Sequence, residues 1–402
     1  MAKAVVSGSF SYETLEETLD VKVRKSELFI GIPKETAFQE TRVGLIPDAV
    51  GVLIANGHDV WVESKAGECS GYSDQDYAEV GAKIKMDHKE IFDCDILIKA
   101  APVVEEDLPL LKLNQIIISP IHQSVIKAST LKGMMKKQIT GISFENLKDD
   151  SGTYPIVRSM SEIAGSASIL LAGHYLSQTG KGKGTLLGGI SGIPPTKVVI
   201  LGAGVVGEFA ARTALAMGSS IKVFDNNVYR LKRLQDTLGH RIWTSVMEPN
   251  ILGKQLKTCE VAIGAVTSES GRTPMIVTEE MVKNMRPGAV VIDVSIDRGG
   301  CFETSEMTTL EDPIIVKHGV LHYCVPNIPS GYSRTASHAI SNVIMPLLMR
   351  ISDAGGLDSY VWNNLNIRHG LYMFKGACTN FYLSERFALK YTDLNLLIAS
   401  LG

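Results

Sequence analysis

Val198-Val-Ile-Leu-Gly-Ala-Gly-Val-Val-Gly207 is the stretch that decides the fold. Val198 to Leu201 is a short, mostly β-branched apolar run, the pattern of a buried strand. Gly202-Ala-Gly204-Val-Val-Gly207 follows at once, and Glu208 to Met217 then reads as a helix with Val206, Ala210 and Met217 on one face. A pyrophosphate needs this series: Gly202 for the tight turn, Gly204 for close approach to the backbone, and Gly207 for close packing of the helix, whose N-terminus faces the anion. The glycine spacing alone would equally suit a plain strand-to-helix turn. A second strand, Ile221 to Phe224, ends in Asp225, 18 residues past Gly207, close to the roughly 20 expected for a ribose contact. A carboxylate there repels a 2′-phosphate and accepts from hydroxyls, which favours NAD over NADP. Asn226 and Asn227 add no positive charge, and Arg230 and Arg233 read as a solvated helix face.

Downstream, the same alternation continues through Val261–Val266 and Ala289–Val294 to His322–Val325. Upstream lies another α/β series. Leu28–Ile32 closes on Pro33, and Pro47-Asp48 opens a helix with Val50, Leu53 and Ile54 on one face that stops at Gly57. Val60–Val62, Ile96–Ile98, Ile116–Ile118 and Ile139–Phe144 follow as strands. Between the two series, Met160–Gln178 reads as a long helix rich in small residues, followed by a glycine-rich loop, Gly180–Thr196. Thr335–Ile351 reads as a helix that crosses back. The expected fold class is α/β, with two Rossmann-like doubly wound parallel-sheet domains joined by long helices. Residues 1–27 form an N-terminal extension, 28–158 plus 335–402 one domain, and 159–334 a dinucleotide-binding domain inserted within it.

The chain has 402 residues, and at roughly 150 residues per domain this fits two or three domains. Lys and Arg number 40 against 43 Asp and Glu, a net charge of −3, so no basic footprint for nucleic acid or a membrane surface is present. Mean hydropathy is +0.11, yet no apolar run reaches the ~18 residues of a spanning helix. Residues 1–27 carry Glu13, Glu16, Glu17 and Asp20 and lack the apolar core of a secretory signal. Six cysteines lie far apart with no paired spacing, which reads as reduced thiols in a cytoplasmic protein. The histidines show no metal-ligand spacing, so no metal is expected.

Three residues stand out for chemistry. Asp297 falls at the end of the strand expected over Val290–Ile296, before Gly299-Gly300, where ligands approach open sheets; it could equally cap its own loop. His122, just past Ile116–Ile118, suits acid/base work near neutral pH or an ordinary structural role. Arg42 could fork onto a carboxylate or lie on the surface.

The segments Gly31-Ile-Pro-Lys-Glu-Thr36, Arg42-Val-Gly-Leu-Ile-Pro47, Met160-Ser-Glu-Ile-Ala-Gly165, Val199 to Gly204, Ile263 to Val266, Asp293 to Glu303 and His322 to Pro329 with Arg334-Thr335 resemble, in that order, the alanine dehydrogenases and the nucleotide-binding subunit of proton-translocating transhydrogenases. The likeness runs over about residues 28 to 395. His122 matches the catalytic histidine of the alanine dehydrogenase branch, and Ile296 to Glu303 is similar to that branch apart from Arg298, where glutamine is usual. The resemblance implies NAD-dependent oxidative deamination of a small L-amino acid, L-alanine foremost, to a 2-oxo acid and ammonium. It assigns His122 and Asp297 to acid/base work and Arg42, Met160 and Asn327 to the substrate, with Lys99 a further substrate candidate. It assigns Ser161, Gly202, Gly204, Val205, Val206, Gly207, Asp225, Ala265, Val266 and Asp297 to the cofactor. It also implies a homo-oligomer, often a hexamer, working in amino-acid catabolism.

One departure bears on the substrate. The family has a lysine two residues beyond the one matching Lys99, and it contacts substrate; this chain reads Lys99-Ala-Ala-Pro102. Ala101 or a one-residue gap takes its place. Either Lys99 shifts into the role or the pocket has changed, with Pro120 and Arg272 as candidate compensating changes. The alternatives are a related oxidoreductase acting on another amino or imino acid, and an NAD(H)-sensing protein without turnover.

Overall fold

The computed structural model describes residues 25–121, 126–267 and 272–401. The first series supplies β1 (Phe29–Ile32), β2 (Asp59–Glu63), β3 (Lys83–Lys85), β4 (Ile96–Ile98), β5 (Ile116–Ser119) and β6 (Thr140–Ser143). The second supplies β7 (Lys197–Leu201), β8 (Ser220–Phe224), β9 (Trp243–Ser245), β10 (Val261–Gly264), β11 (Val290–Asp293), β12 (Ile314–Lys317) and β13 (Val320–Tyr323). Near the C-terminus come β14 (Leu371–Phe374) and β15 (Ala377–Cys378).

Two sheets result, ordered β15-β14-β6-β5-β4-β1-β2-β3 and β12-β13-β11-β10-β7-β8-β9. Strands β1 to β6 pair in parallel, as do β7 to β11 and β13. In each sheet the parallel order is third-second-first-fourth-fifth-sixth, the doubly wound arrangement. The direction of winding reverses between β1 and β4 in one sheet and between β7 and β10 in the other. A crevice opens beyond the strands' C-terminal ends at such a reversal, and ligands bind there. The first sheet draws on both ends of the chain, and the second lies wholly between them.

Helices cover both faces of each sheet, so the central strands are apolar on both sides. Residues of β4, β6, β10 and β11 are all buried, and an apolar cluster lies on each face of each sheet. The helix Pro155–Leu176 begins a turn earlier than the sequence predicts, with Pro155 in its first turn. It packs closely on the helix Val205–Ala216. A Cβ at Gly165 would lie 2.8 Å from Phe209 Cβ, so the small-residue pattern does serve close approach. The returning helix spans Ser333–Asp353.

Two differences from the sequence expectations have clear causes. The strand expected over Val290–Ile296 ends at Asp293, because that carboxylate draws the following backbone into a 3-10 turn, Val294–Arg298. The antiparallel pair β14–β15 was not anticipated. Lys375 (φ 48°) and Gly376 (φ 79°) join it through two left-handed residues, the tight hairpin turn that X-Gly favours.

Candidate active site

At the β7/β10 reversal the site is made of backbone. Gly202 has φ 107°, open to glycine without strain, and a Cβ on it would collide with the Ala265 carbonyl. That contact brings Ala265 and Val266 from the end of β10 against the glycine loop; the Ala265 N–H donates to Leu201 O at 2.8 Å and the Val266 N–H to Ser295 Oγ at 3.0 Å. A Cβ on Gly207 would strike the Gly202 carbonyl, whereas nothing lies within 4 Å of a Cβ on Gly204. Gly204 begins the helix without a side-chain cap, which leaves the first-turn N–H groups of Val205, Val206 and Gly207 for another acceptor. An uncapped helix start over an open cradle fits a pyrophosphate. Asp225 is buried; one oxygen accepts from Ala203 N–H at 2.7 Å and the other from Asn227 N–H at 2.7 Å. It braces the loop it follows and keeps further lone pairs for hydroxyls.

Asp297 sits exposed on the 3-10 turn after β11, and its Oδ1 accepts the Asn327 N–H at 2.9 Å. The turn is organised by Asp293, which the sequence reading did not single out. The buried Asp293 carboxylate accepts N–H groups from Ser295 at 3.1 Å, Cys301 at 3.0 Å and Phe302 at 3.4 Å, and burial raises its pKa. Its signal was an acid closing an apolar strand ahead of a double glycine; Gly299 and Gly300 both take positive φ. Arg272 lies across Gly299. Asn327 itself is left-handed (φ 55°, ψ 50°), a conformation asparagine tolerates better than most residues.

At the β1/β4 reversal the site is made of charged side chains. The loop from Pro33 to Ile46 carries Glu35, Glu40 and Arg42. Arg42 is only 5% exposed. Its Nε donates to Glu40 Oε1 at 2.7 Å and its Nη2 to Glu40 Oε2 at 2.5 Å, while Nη1 reaches Met160 Sδ at 3.5 Å. Burial alone would weaken the Arg42 charge; Glu40 outweighs it and keeps the guanidinium's pKa above its ordinary value. The loop is tied to the returning helix by two hydroxyls that sequence reasoning missed. Ser337 Oγ accepts the Val43 N–H at 2.9 Å, and Ser341 Oγ the Ile46 N–H at 2.8 Å. Their spacing of one helical turn places both on one face, the only sequence signal they offer. Ser161 neighbours Met160 on the long helix and is half-buried.

Lys99, expected at the substrate, lies at the end of β4 between two carboxylates. It is 4% exposed, with Nζ 3.2 Å from Glu35 Oε2 and 3.3 Å from Asp107 Oδ2. Burial opposes its charge, but the two carboxylates prevail and raise its pKa; burial likewise raises that of Glu35. Glu35 also accepts the N–H groups of Ala100 at 2.6 Å and Ala101 at 3.1 Å. Lys99 is thus paired with two carboxylates at the end of β4, and Ala101 is fully buried beside it. His122 lies outside the described residues. The chain leading to it is fixed: the N–H of buried Ile121 donates to Glu145 Oε2 at 3.2 Å.

One other histidine has a structural place. His322 is buried between Thr304 Oγ1 at 2.8 Å and the Val320 carbonyl at 3.0 Å. Among the described residues no group of three or more His, Cys, Asp or Glu could hold a metal ion, and no helix is long and apolar enough to cross a membrane.

A doubly wound fold with a glycine loop that fits a pyrophosphate at one reversal, and a buried arginine linked through Glu40 and Asn327 to Asp297 at the other, is the architecture of a dehydrogenase. Comparison with known proteins gives the family. The alanine dehydrogenase/PNT N-terminal domain matches residues 31–164 and the C-terminal domain residues 168–381. The chain belongs to the alanine dehydrogenase/PNT family and is an alanine dehydrogenase-like oxidoreductase. Alanine dehydrogenase 2 of Staphylococcus aureus (strain USA300) is 35% identical over 366 residues, 91% of this chain and 98% of that protein. A solved L-alanine dehydrogenase superposes with a TM-score of 0.84 at 32% identity, covering 89% of this chain and 99% of its own. A transhydrogenase from Sinorhizobium meliloti shares the fold, with a TM-score of 0.76 at 20% identity over 88% of this chain and 99% of its own.

Proposed function

We propose that this protein catalyses the reversible NAD-dependent oxidative deamination of a small L-amino acid, L-alanine foremost, to its 2-oxo acid and ammonium. The observation that carries this is the buried Arg42, fixed at the β1/β4 reversal and connected through Glu40 and Asn327 to Asp297. The substrate unit would be residues 28–158 with 335–402, the nucleotide unit 159–334, and the working form a homo-oligomer in the cytoplasm.

Arg42 binds the substrate carboxylate through the guanidinium edge that Glu40 leaves open, with Met160 and Asn327 lining the amino-acid side. His122 takes the proton from the substrate amine and returns it to the product. Asp297 holds the water that converts the imine to a carbinolamine, which collapses to the 2-oxo acid. Gly202, Gly204, Val205, Val206 and Gly207 hold the pyrophosphate, Asp225 the adenosine ribose, and Ser161, Ala265, Val266 and Asp297 the nicotinamide half. Bound NAD supplies the hydride acceptor; the protein supplies position and proton management. Asp225 favours NAD over NADP because a carboxylate there would repel a 2′-phosphate and accept from ribose hydroxyls.

A second function has one observation in its favour. With Lys99 locked by Glu35 and Asp107 and Ala101 apolar, the pocket has lost a cation, which suits another amino or imino acid. The test follows NADH formation by absorbance with NAD or NADP across a panel of L-amino acids, alongside NADH binding. Turnover on alanine supports the first function, and turnover only on another amine supports the second. Tight NADH binding with no turnover on any amine contradicts both and indicates a sensor.

A further inference from the structure

We infer that Glu40 is a positioning residue of the substrate site: it sets the edge that Arg42 presents to a carboxylate and ties that arginine to Asp297 across the junction of the two sheets. This rests on the amino-acid dehydrogenase function proposed above. A guanidinium has five N–H groups in a planar fork and can receive a carboxylate side-on, through Nε and one Nη, or end-on, through both Nη atoms. Glu40 fills the side-on position completely, at 2.7 and 2.5 Å. A substrate carboxylate must therefore meet the end-on edge, which Nη1 turns toward Met160.

The same carboxylate reaches the other half of the molecule. Its Oε2 accepts from Asn327 Nδ2 at 3.5 Å, and its Oε1 from Ser330 Oγ at 3.3 Å. The neighbouring Thr41 Oγ1 donates to the Ser330 carbonyl at 2.5 Å. Asn327 in turn gives its backbone N–H to Asp297. The run Arg42–Glu40–Asn327–Asp297 thus spans from the β1 loop to the turn after β11. Two segments of left-handed, non-glycine backbone meet here, Phe38-Gln39 (φ 59° and 51°) and Asn327 (φ 55°). Such backbone persists where surrounding contacts over-determine it, and Glu40 lies 4% exposed at the centre of those contacts.

A carboxylate that only stapled the sheets together would affect stability and leave the substrate's affinity unchanged. One that positions Arg42 affects that affinity selectively. The test measures pyruvate binding to the NADH-loaded full chain, with the KM for pyruvate in reductive amination, in wild type and Glu40→Gln. The amide keeps the size but presents N–H groups to the guanidinium where it needs acceptors, so the fork must turn. Expected is an increase in pyruvate Kd and KM of about tenfold or more, with the NADH Kd unchanged. If Glu40→Gln does not fold because the buried guanidinium has lost its counter-charge, Glu40→Asp carries the test. It keeps the charge one methylene short, and about fivefold is expected. Pyruvate Kd and KM within about twofold of wild type in a folded variant overturn the inference alone. A wild type that binds no pyruvate overturns it together with the function on which it rests.

Discussion

The two winding reversals are the same place in the same topology, built from opposite materials. Both first strands end beside a second strand whose next carboxylate holds the loop. Glu63 Oε2 accepts the Lys34 N–H at 2.7 Å after β1, and Asp225 Oδ2 accepts the Ala203 N–H at 2.7 Å after β7. The registers agree, since Ile32 pairs with Val62 and Leu201 with Phe224. Beyond that shared brace the two diverge. After β7 the chain enters its helix within residues 202–204 and offers glycines and backbone N–H groups. After β1 it runs from 33 to 46 before the helix Pro47–Ala55, and this longer loop carries Glu35, Glu40 and Arg42. A diphosphate is one diffuse anion, which a helix start and open backbone can hold. A small zwitterion has separate charges and needs placed ionic side chains, each paired while buried because an isolated buried charge is costly. Under the proposed function, the ion pairs of the β1/β4 end answer that requirement.

The contrast can be broken most sharply at Arg42. Arg42→Lys keeps the charge but not the fork, and kcat/KM for the amino acid should fall by about a thousandfold, with NADH affinity intact by fluorescence titration. Loss of NADH binding as well would mean the two ends are not separable. Lys99→Met strands Glu35 and Asp107 in the interior. Urea unfolding should show a loss of about 3–5 kcal/mol, while the KM of the folded enzyme stays within about twofold. A large KM change at full stability would return Lys99 to the substrate. Gly204→Ala fills space that only a ligand would occupy, so the NADH Kd should rise about tenfold with the thermal midpoint unchanged. An unaltered Kd would place the pyrophosphate elsewhere. Ser337→Ala leaves the Val43 N–H without its acceptor and should cost about 1–2 kcal/mol of stability, with a small rise in KM because the Arg42 loop loosens. No change in either would show that the loop holds its shape without the returning helix.

The same contrast explains what the sequence could disclose. A backbone-built loop writes itself as glycine spacing, because only glycine fits where Gly202 turns and Gly207 packs, so the shape of the β7/β10 end was legible in the sequence. A side-chain site is written in residues that occur everywhere. Arg42 could be picked out, but Glu40 two positions away looks like an ordinary exposed pair until the fold buries both. The ion pairs of Lys99 were not legible, since Glu35 and Asp107 reach it only through the fold. Asp297 lies just past a sheet end, as its sequence position implies, but the strand before it is shorter than the apolar run. Three hydrogen bonds to Asp293 decide that boundary, and local pattern does not encode them.

In the proposed reaction a hydride passes between an amino acid held at one end and NAD held at the other. Incubating the protein with NAD and L-alanine deuterated at Cα, then isolating the reduced nucleotide for mass spectrometry, tests it directly. The account predicts NADH carrying the deuterium at the nicotinamide C4 position. NADH without deuterium, or no NADH at all from a chain that binds the nucleotide, would contradict it.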